Sequence, residues 1–209
     1  MFLNKNKQNK VDTLLHIKEG DELFNKLTVL QNEINVYFDT NIIAFVSIDS
    51  DSLTAVLAKA FADTYALNKS SALIIDANLY NPCLEGLFTK QDDSVAIVGK
   101  QEKLDGQYQV NILNDKVGYI SIEKQIYPGN ILKDKVVHKM INEWQKIYEH
   151  IIILVPSIKE HKEILLLSDI INTSLLIVKR NVTKKEDIFN AVEFFRVNEL
   201  PLAQTIVVK

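Results

Sequence analysis

The stretch that decides the fold is residues 42–66, IIAFVSIDSDSLTAVLAKAFADTYA. It begins with a continuous apolar run, passes through a short polar turn, and continues with apolar residues at helical spacing from Leu53 to Ala66. A buried strand, a turn and a helix in this order are typical of a phosphate-binding loop, in which glycines and a lysine occupy the turn. Here the turn contains Asp49, Ser50, Asp51 and Ser52. The layout therefore predicts a nucleotide-binding scaffold with acids where phosphates would lie.

Composition limits the classes of function to be considered. A chain of 209 residues, 47% hydrophobic and 24% charged, suits one globular α/β domain. A formal net charge of −3 without a long Lys/Arg block gives no footprint for binding nucleic acid. Cys83 is the only cysteine, so no intramolecular disulfide can form, which fits a reducing cytoplasm. No uncharged run approaches the roughly 20 residues that span a bilayer, so we expect membrane contact only through a partner.

Predicted strands and helices alternate along the chain. Residues 1–19 are polar and predict a flexible N-terminal arm, followed by a single domain over 20–209. Apolar runs predict buried strands at 42–47, 71–76, 117–122, 150–155, 174–179 and 203–208, with one or two more within 89–116. Periodicity predicts helices at 21–38, 53–66, 134–149 (with Asp134 as its cap), 160–171 and 184–197, and Pro-Gly predicts a loop at 125–132. This alternation predicts a mostly parallel sheet with helices on both faces.

The segment that follows the second predicted strand carries a family resemblance. Residues 72–88, ALIIDANLYNPCLEGLF, resemble the stretch LLIDADLRNPSLHKLF of the bacterial tyrosine kinases of capsule and exopolysaccharide synthesis. The positions that match this pattern are Ile75, Asp76, Ala77, Leu79, Asn81, Pro82, Leu84, Leu87 and Phe88. The resemblance extends from about Glu22 to the C-terminus and is weakest over 89–116. It implies a P-loop NTPase-like α/β domain of the MinD/ParA type.

The first nucleotide-binding motif implied by the resemblance is missing from the chain. The family's loop resembles SSKPGEGKST, and Asp51 and Leu53 stand at its two glycines, Thr54 at its lysine and Ala55 at its magnesium-binding hydroxyl. An acid about 4 Å from a phosphate repels it by roughly 4 kcal/mol at an effective dielectric near 20, and losing the lysine removes a similar attraction. We therefore expect no useful ATP binding and no cofactor. Asp51 and Ser52 are expected instead to cap the helix that begins at Leu53.

The other two implied motifs are also altered. In the second, Asp76 matches the first of two acids, but Asn78 replaces the second acid and Tyr80 replaces an arginine. In the third, Leu154 stands where an acid should end the strand. A Ca²⁺ or Mg²⁺ site formed by Asp49, Asp51 and Asp76 is an alternative use of these acids. We expect no metal, and expect Asp76 to hydrogen-bond the backbone of the adjoining loop.

Signals for other chemistry and for oligomers are weak. The four histidines, His16, His138, His150 and His161, show no metal-ligand spacing. Glu22, Asn25 and Thr28 stand where family members carry an ExxRxxR stretch that supports ring-shaped oligomers, which puts that ring interface in doubt. The chain stops at TIVVK, so the tyrosine cluster at the end of family members is not expected.

These residues together predict a catalytically inactive pseudokinase that works by binding other proteins. The vestigial nucleotide site comprises Asp49, Ser50, Asp51, Ser52, Leu53, Thr54, Ala55, Asp76, Asn78 and Leu154. The candidates for partner binding are Asp49, Asp51, Asn78, Tyr80 and Asn81, because loops at strand C-terminal ends carry binding in such folds.

The resemblance also implies partners and a location. The partner would be a membrane-embedded polysaccharide chain-length regulator or a paralogous kinase, and the protein would be cytoplasmic, held at the inner face of the membrane through that partner. Two alternatives remain open. One is an active ATP-dependent tyrosine kinase or ATPase with an unconventional site, and the other is a MinD/ParA-like positioning factor.

Overall fold

The computed structural model describes residues 18–38, 41–49, 51–84, 87, 102–104, 108–122 and 125–208. Its helices are α1 (Glu22–Phe38), α2 (Asp51–Leu67), α3 (Pro128–Leu132), α4 (Lys135–Trp144) and α5 (Lys185–Val197). Its strands are β1 (Ile42–Ser47), β2 (Ala72–Asp76), β3 (Glu102–Leu104), β4 (Tyr108–Ile112), β5 (Val117–Ser121), β6 (His150–Val155), β7 (Thr173–Lys179) and β8 (Gln204–Val208). Most of the arm predicted for 1–19 lies outside the described residues.

The strands form one mostly parallel sheet, as the sequence predicted. Their order is β3-β4-β5-β2-β6-β1-β7-β8, and all neighbours from β5 to β8 are parallel. The short strands β3 and β4 add an antiparallel pair beside β5. In the centre, β1 lies between β6 and β7, with Ile42 opposite Ile151 and Ile43 opposite Thr173.

Each face of the sheet contributes to a separate apolar core, because side chains alternate along a strand. On one face Ala44 and Val46 belong to a cluster with residues of α4 and α5, such as Trp144 and Phe195. On the other face Phe45 packs edge-to-face with Phe61 of α2, with ring centroids 5.3 Å apart. Burial on both faces explains the continuous apolar strands of the sequence and confirms that helices cover the two sides.

Two predicted elements are wrong. The predicted loop at 125–132 contains α3, because Pro128 occupies the first turn, where the proline's missing N–H costs no intrahelical bond. The predicted α-helix at 160–171 is only a 3₁₀ helix at Glu163–Leu167, flanked by turns. Ile164 and Leu167 are buried at a spacing of three, which fits a 3₁₀ helix as well as an α-helix, so periodicity alone misassigned the segment.

Other boundaries differ by a few residues. Helix α4 ends at Trp144 rather than at 149, while its predicted cap is confirmed by the Val136 N–H, which donates to Asp134 Oδ1 at 2.9 Å. Helix α2 begins at Asp51 rather than at Leu53. Ser50 and the side chains of Asp51 and Ser52 lie outside the described part, so their capping role stays a prediction. No helix within the described ranges is long and apolar enough to cross a bilayer.

Candidate functional site

The carboxyl ends of parallel strands meet at one edge of the sheet, and we call the loops there the mouth. It comprises the described residues after β1 (48–49), β2 (77–84), β5 (122 and 125–127), β6 (156–162) and β7 (180–184). Ligands of doubly wound α/β proteins bind at this edge. Every candidate residue from the sequence that the structure describes lies at the mouth or at the buried elements just below it.

The loop after β1 is hydrogen-bonded to its neighbours on both sides. The N–H of Ile158 donates to the carbonyl of Ser47 at 2.9 Å, and the Ser157 hydroxyl donates to the carbonyl of Ile48. The N–H of Ile48 donates in turn to the carbonyl of Ile177 at 3.3 Å. These bonds hold the first loop against the ends of β6 and β7, and they use backbone groups of Ser47 and Ile48 within the protein.

Asp49 is exposed at the mouth, and its carboxylate has a partner from the loop after β7. The hydroxyl of Thr183 donates to Asp49 Oδ2. A cation also lies near: Lys159 forms an ion pair with Asp187 at 2.8 Å. That hydrogen bond raises the pKa of Lys159, and the charge of Asp49 acts in the same direction. Asp49 therefore accepts a hydrogen bond from Thr183 and lies near the Lys159–Asp187 ion pair.

A small cavity separates the mouth from α5. Its volume is about 150 Å³, and its lining includes Ile48, Lys159, Lys162 and Asp187. The ammonium of Lys162 donates to the carbonyl of Ile158 and lies 4.6 Å from the ring centroid of Phe194. Burial lowers the pKa of Lys162. Lys159 and Lys162 thus both have partners within the protein: Lys159 pairs with Asp187, and Lys162 contacts the Ile158 carbonyl and the Phe194 ring.

Asp76 is a structural acid at the end of β2. It is fully buried, and its carboxylate accepts backbone N–H groups from Asn78 at 3.1 Å, Cys83 at 2.7 Å and Leu84 at 3.1 Å. Burial raises the pKa of Asp76, while these N–H groups oppose the rise because they stabilise the charged form. Both carboxylate oxygens face the loop of their own strand, which is the role that the sequence predicted for this residue.

Two of the predicted partner-binding residues shape the loop after β2. Asn78 is 2% exposed, and its amide Nδ2 donates to the carbonyl of Asn81 at 3.2 Å. Tyr80 is half-buried, stacks on His161 with ring centroids 3.8 Å apart, and donates its hydroxyl to Glu163. That hydrogen bond raises the pKa of Tyr80. Tyr80 therefore ties the loop after β2 to the segment after β6, while Asn81 is exposed.

Three further positions of the vestigial site, Thr54, Ala55 and Leu154, have buried side chains. Leu154 is 2% exposed and belongs to the apolar cluster on the α1/α2 face, together with Ala55. Thr54 is also 2% exposed, and Ala55 is 1% exposed. Leu154 stands directly opposite Asp76 in the register of β6 and β2. At the lysine, hydroxyl and strand-end acid positions of the motifs, this chain therefore has side chains that pack in the core.

The acids proposed as an alternative metal site do not act together in the described part of the chain. Within those residues, no three His, Cys, Asp or Glu side chains are arranged to hold a metal ion. Asp76 is occupied by its own loop and Asp49 by Thr183. The side chain of Asp51 lies outside the description.

Sequence reasoning missed the residues that link the loops of the mouth. Thr183, Lys159, His161 and Glu163 all contact a predicted site residue or the cavity beside it. His161 and Glu163 lay within a segment predicted as a helix, so their position beside Tyr80 was hidden. The sequence PSIKEHKE (156–163) could have indicated them, because polar residues directly after a buried parallel strand lie at the mouth.

The fold is shared with proteins of known structure. It is that of the P-loop NTPase-like domains of the MinD/ParA type: MinD from Aquifex aeolicus aligns with a TM-score of 0.54 at 17% identity, over 81% of this chain and 70% of that one. No protein-family model matches the sequence, and no curated relative matches it either.

Two kinase-domain structures and one chimerical protein align over 90% or more of this chain. The kinase domain of VpsO aligns with a TM-score of 0.74 at 12% identity, over 99% of both chains. The kinase domain of the Escherichia coli tyrosine kinase ETK gives 0.74 at 15% identity, over 90% of this chain and 76% of that one. The chimerical protein CapA2B2 gives 0.79 at 12% identity, over 98% of both. At these identities the likeness establishes the fold.

Proposed function

We propose that this protein is a catalytically inactive relative of the bacterial tyrosine kinases and acts as a binding protein in capsule or exopolysaccharide synthesis. The observation that carries the proposal is the buried position of Leu154. An acid at this strand end would face Mg²⁺-nucleotide chemistry in the related motif, but this leucine packs in an apolar cluster. Its side chain offers no ligand to a cation.

The state of the first loop supports the same conclusion. The position aligned with the phosphate-binding lysine is Thr54, which is buried, and Asp49 is exposed at the mouth. Lys159 lies near this loop and is paired with Asp187. A triphosphate would have to displace Asp187 to gain that charge and would still face Asp49. Both requirements weaken nucleotide binding.

Calorimetric titration of the 209-residue chain with Mg-ATP tests the loss of nucleotide chemistry. We expect no binding at micromolar concentrations, with the ETK kinase domain titrated in parallel as a positive control. Micromolar affinity would overturn the proposal and favour an active ATPase or kinase with an unconventional site. Binding of the chain to phospholipid vesicles only in the presence of ATP would instead favour a MinD/ParA-like positioning factor.

The proposed binding surface is the mouth, with Tyr80 and Asn81 as the candidates on the loop after β2. Tyr80 is held in a fixed position by Glu163 and His161, and a rigid aromatic side chain at a loop is well suited to anchor an interface. By the resemblance, the partner is a membrane-embedded polysaccharide chain-length regulator or a paralogous kinase.

Capture of that partner by variants of Tyr80 tests the surface. Tyr80→Ala should reduce capture of the regulator or the kinase by about tenfold, the size of a moderate interface anchor. Tyr37→Ala is the matched control, because Tyr37 is 78% exposed near the end of α1, away from the loop after β2. Equal capture by the wild type and both variants would exclude the loop after β2 from the interface.

A further inference from the structure

The outer edge of β8 presents unpaired backbone groups from two residues. Among the described strands, β8 pairs only with β7. The N–H of Arg180 donates to the carbonyl of Val208 at 2.8 Å, so the polar groups of Val208 point toward β7. Because backbone N–H and C=O directions alternate along a strand, Ile206 also faces β7, while Thr205 and Val207 face away from it.

The side chains of the same two residues lie on the face covered by α5. Ile206 and Val208 pack against the core on the α1/α2 face, so Thr205 and Val207 project to the opposite face. Val207 is 59% exposed there. Helix α5, which connects β7 to β8, therefore leaves part of the edge strand uncovered.

The flank of α5 on the β8 side carries two exposed apolar side chains, with Lys185 and Arg196 on the same flank. Asp187 pairs with Lys159, and Phe194 lies under Lys162, so this flank of the helix faces the loop after β6. A rotation of 100° per residue places Phe189 on the opposite flank, toward β8. Val192 follows one turn later on the same flank. The two side chains are 69% and 41% exposed. Phe189, Val192, Thr205 and Val207 form what we call the edge surface.

The edge surface carries no charge on its strand. The sequence of β8 is QTIVV, without the lysines or prolines that protect exposed edges in most sheets. Charged groups border the strand: Gln204 donates to Glu33 at 2.7 Å, Arg196 binds Glu193 at 2.5 Å, and the exposed Lys185 lies one helical turn before Phe189. The five residues of β8 themselves therefore add no like-charge repulsion between two copies.

We propose that the edge surface is the interface between two copies of this chain, whose β8 strands pair in antiparallel orientation about a two-fold axis at Ile206. This register places Thr205 of one copy opposite Val207 of the other. Both residues direct their N–H and C=O outward, as a hydrogen-bonded antiparallel pair requires. The N–H and C=O of Ile206 point to β7 of the same molecule. The two Ile206 residues therefore meet as a non-hydrogen-bonded pair between the two hydrogen-bonded pairs. The outward pattern is symmetric about Ile206, which makes the strand complementary to itself.

The same arrangement buries the apolar flanks. The two-fold axis brings Val207 of each copy beside Thr205 of the other on the α5 face, and β-branched cross-strand pairs of this kind stabilise sheets. Phe189 and Val192 of each helix lie over the new strand pair. The sheet becomes continuous across the dimer. This surface lies at the outer edge of the sheet and not at the mouth, so the inference is independent of the proposed function.

Sedimentation of the 209-residue chain over roughly 1 to 100 µM tests the dimer. We expect a concentration-dependent dimer that Val207→Lys weakens by about tenfold or more, because lysine is the residue that blocks edge pairing. Val29→Lys is the matched control, since Val29 is 57% exposed on α1 and carries the same change. A wild-type monomer throughout this range, or equal effects of the two variants, would overturn the inference.

Amide hydrogen exchange gives a readout at single residues. In the dimer, the amides of Thr205 and Val207 should exchange slowly at high protein concentration and quickly at low concentration, while Ile206 stays protected by β7. Thr205→Pro removes one outward N–H, which an edge strand tolerates, and should abolish the concentration dependence at Val207. Exchange at Thr205 and Val207 that is equally fast at every concentration would contradict the paired edge.

Discussion

Tyr65 stacks on the imidazole of His150, with ring centroids 3.7 Å apart and ring planes 11° apart. The contact joins the last turns of α2 to the first residue of β6. The imidazole is partly buried, and its Nδ1 has no hydrogen-bond partner among the described residues. Burial lowers the pKa of His150, although the nearby Glu149 opposes the shift.

The first prediction concerns the pH dependence of stability. The folded protein binds fewer protons at His150 than the unfolded chain does, so the free energy of unfolding should fall as pH drops below about 6.5. For one proton the slope is at most about 1.4 kcal/mol per pH unit. Urea denaturation at pH 7.5 and 5.5 measures it. His150→Phe keeps the aromatic stack and should remove this component, whereas an unchanged slope would place the effect elsewhere.

The second prediction concerns Asp76. Asp76→Ala leaves three buried N–H groups without their acceptor and should lower the free energy of unfolding by about 3 kcal/mol. Asp76→Asn retains one oxygen for Cys83 and Leu84 and should cost clearly less. Urea denaturation of both variants provides the measurement. Equal, small losses for the two variants would show that the loop after β2 does not depend on this carboxylate.

The third prediction is that restoring an acid at Leu154 does not restore nucleotide chemistry. Leu154→Asp places an unpaired carboxylate in the apolar core and should destabilise the protein by about 4 kcal/mol or more, without creating Mg-ATP binding. Leu165→Asp is the control for the same change at a leucine that is 37% exposed. Thermal melts and titration with Mg-ATP test both parts, and a stable variant that binds ATP would refute the prediction.

The fourth prediction concerns the link between the loops at the mouth. Tyr80→Phe keeps the stack on His161 but removes the hydroxyl that donates to Glu163. We expect a modest loss of about 0.5–1.5 kcal/mol in unfolding free energy and faster amide exchange in residues 77–84. Tyr37→Phe, at a tyrosine of α1 that is 78% exposed, should change neither quantity. Unchanged exchange in Tyr80→Phe would show that the stack alone holds the loop.

The sequence predicted the core of the fold well because the central strands are buried on both faces. Continuous apolar runs located β1, β2, β6 and β7, and the alternation of strands with helices predicted that both faces are covered. The two wrongly predicted elements lie where a local sequence pattern is compatible with more than one structure. The proline that marked a loop begins α3, and the three-residue spacing of Ile164 and Leu167 fits two kinds of helix.

The candidate site was harder to predict, because its contacts join residues far apart in the chain. Asp76 was foreseen, since its partners lie within the same loop. The partner of Tyr80 is Glu163, and the partner of Asp49 is Thr183, and no local pattern announces either pair. Leu154 was identified as a missing acid, but only the packing around it showed that the position belongs to the core.

The central place of β1 in the sheet has a consequence for synthesis on the ribosome. This strand emerges first among the described strands, yet both of its neighbours, β6 and β7, are made more than a hundred residues later, as the pairs Ile42 with Ile151 and Ile43 with Thr173 show. The nascent chain must therefore carry a largely apolar segment without its strand partners until β6 and β7 have been made. Such long-range closure slows folding and leaves that segment as a target for chaperones during translation.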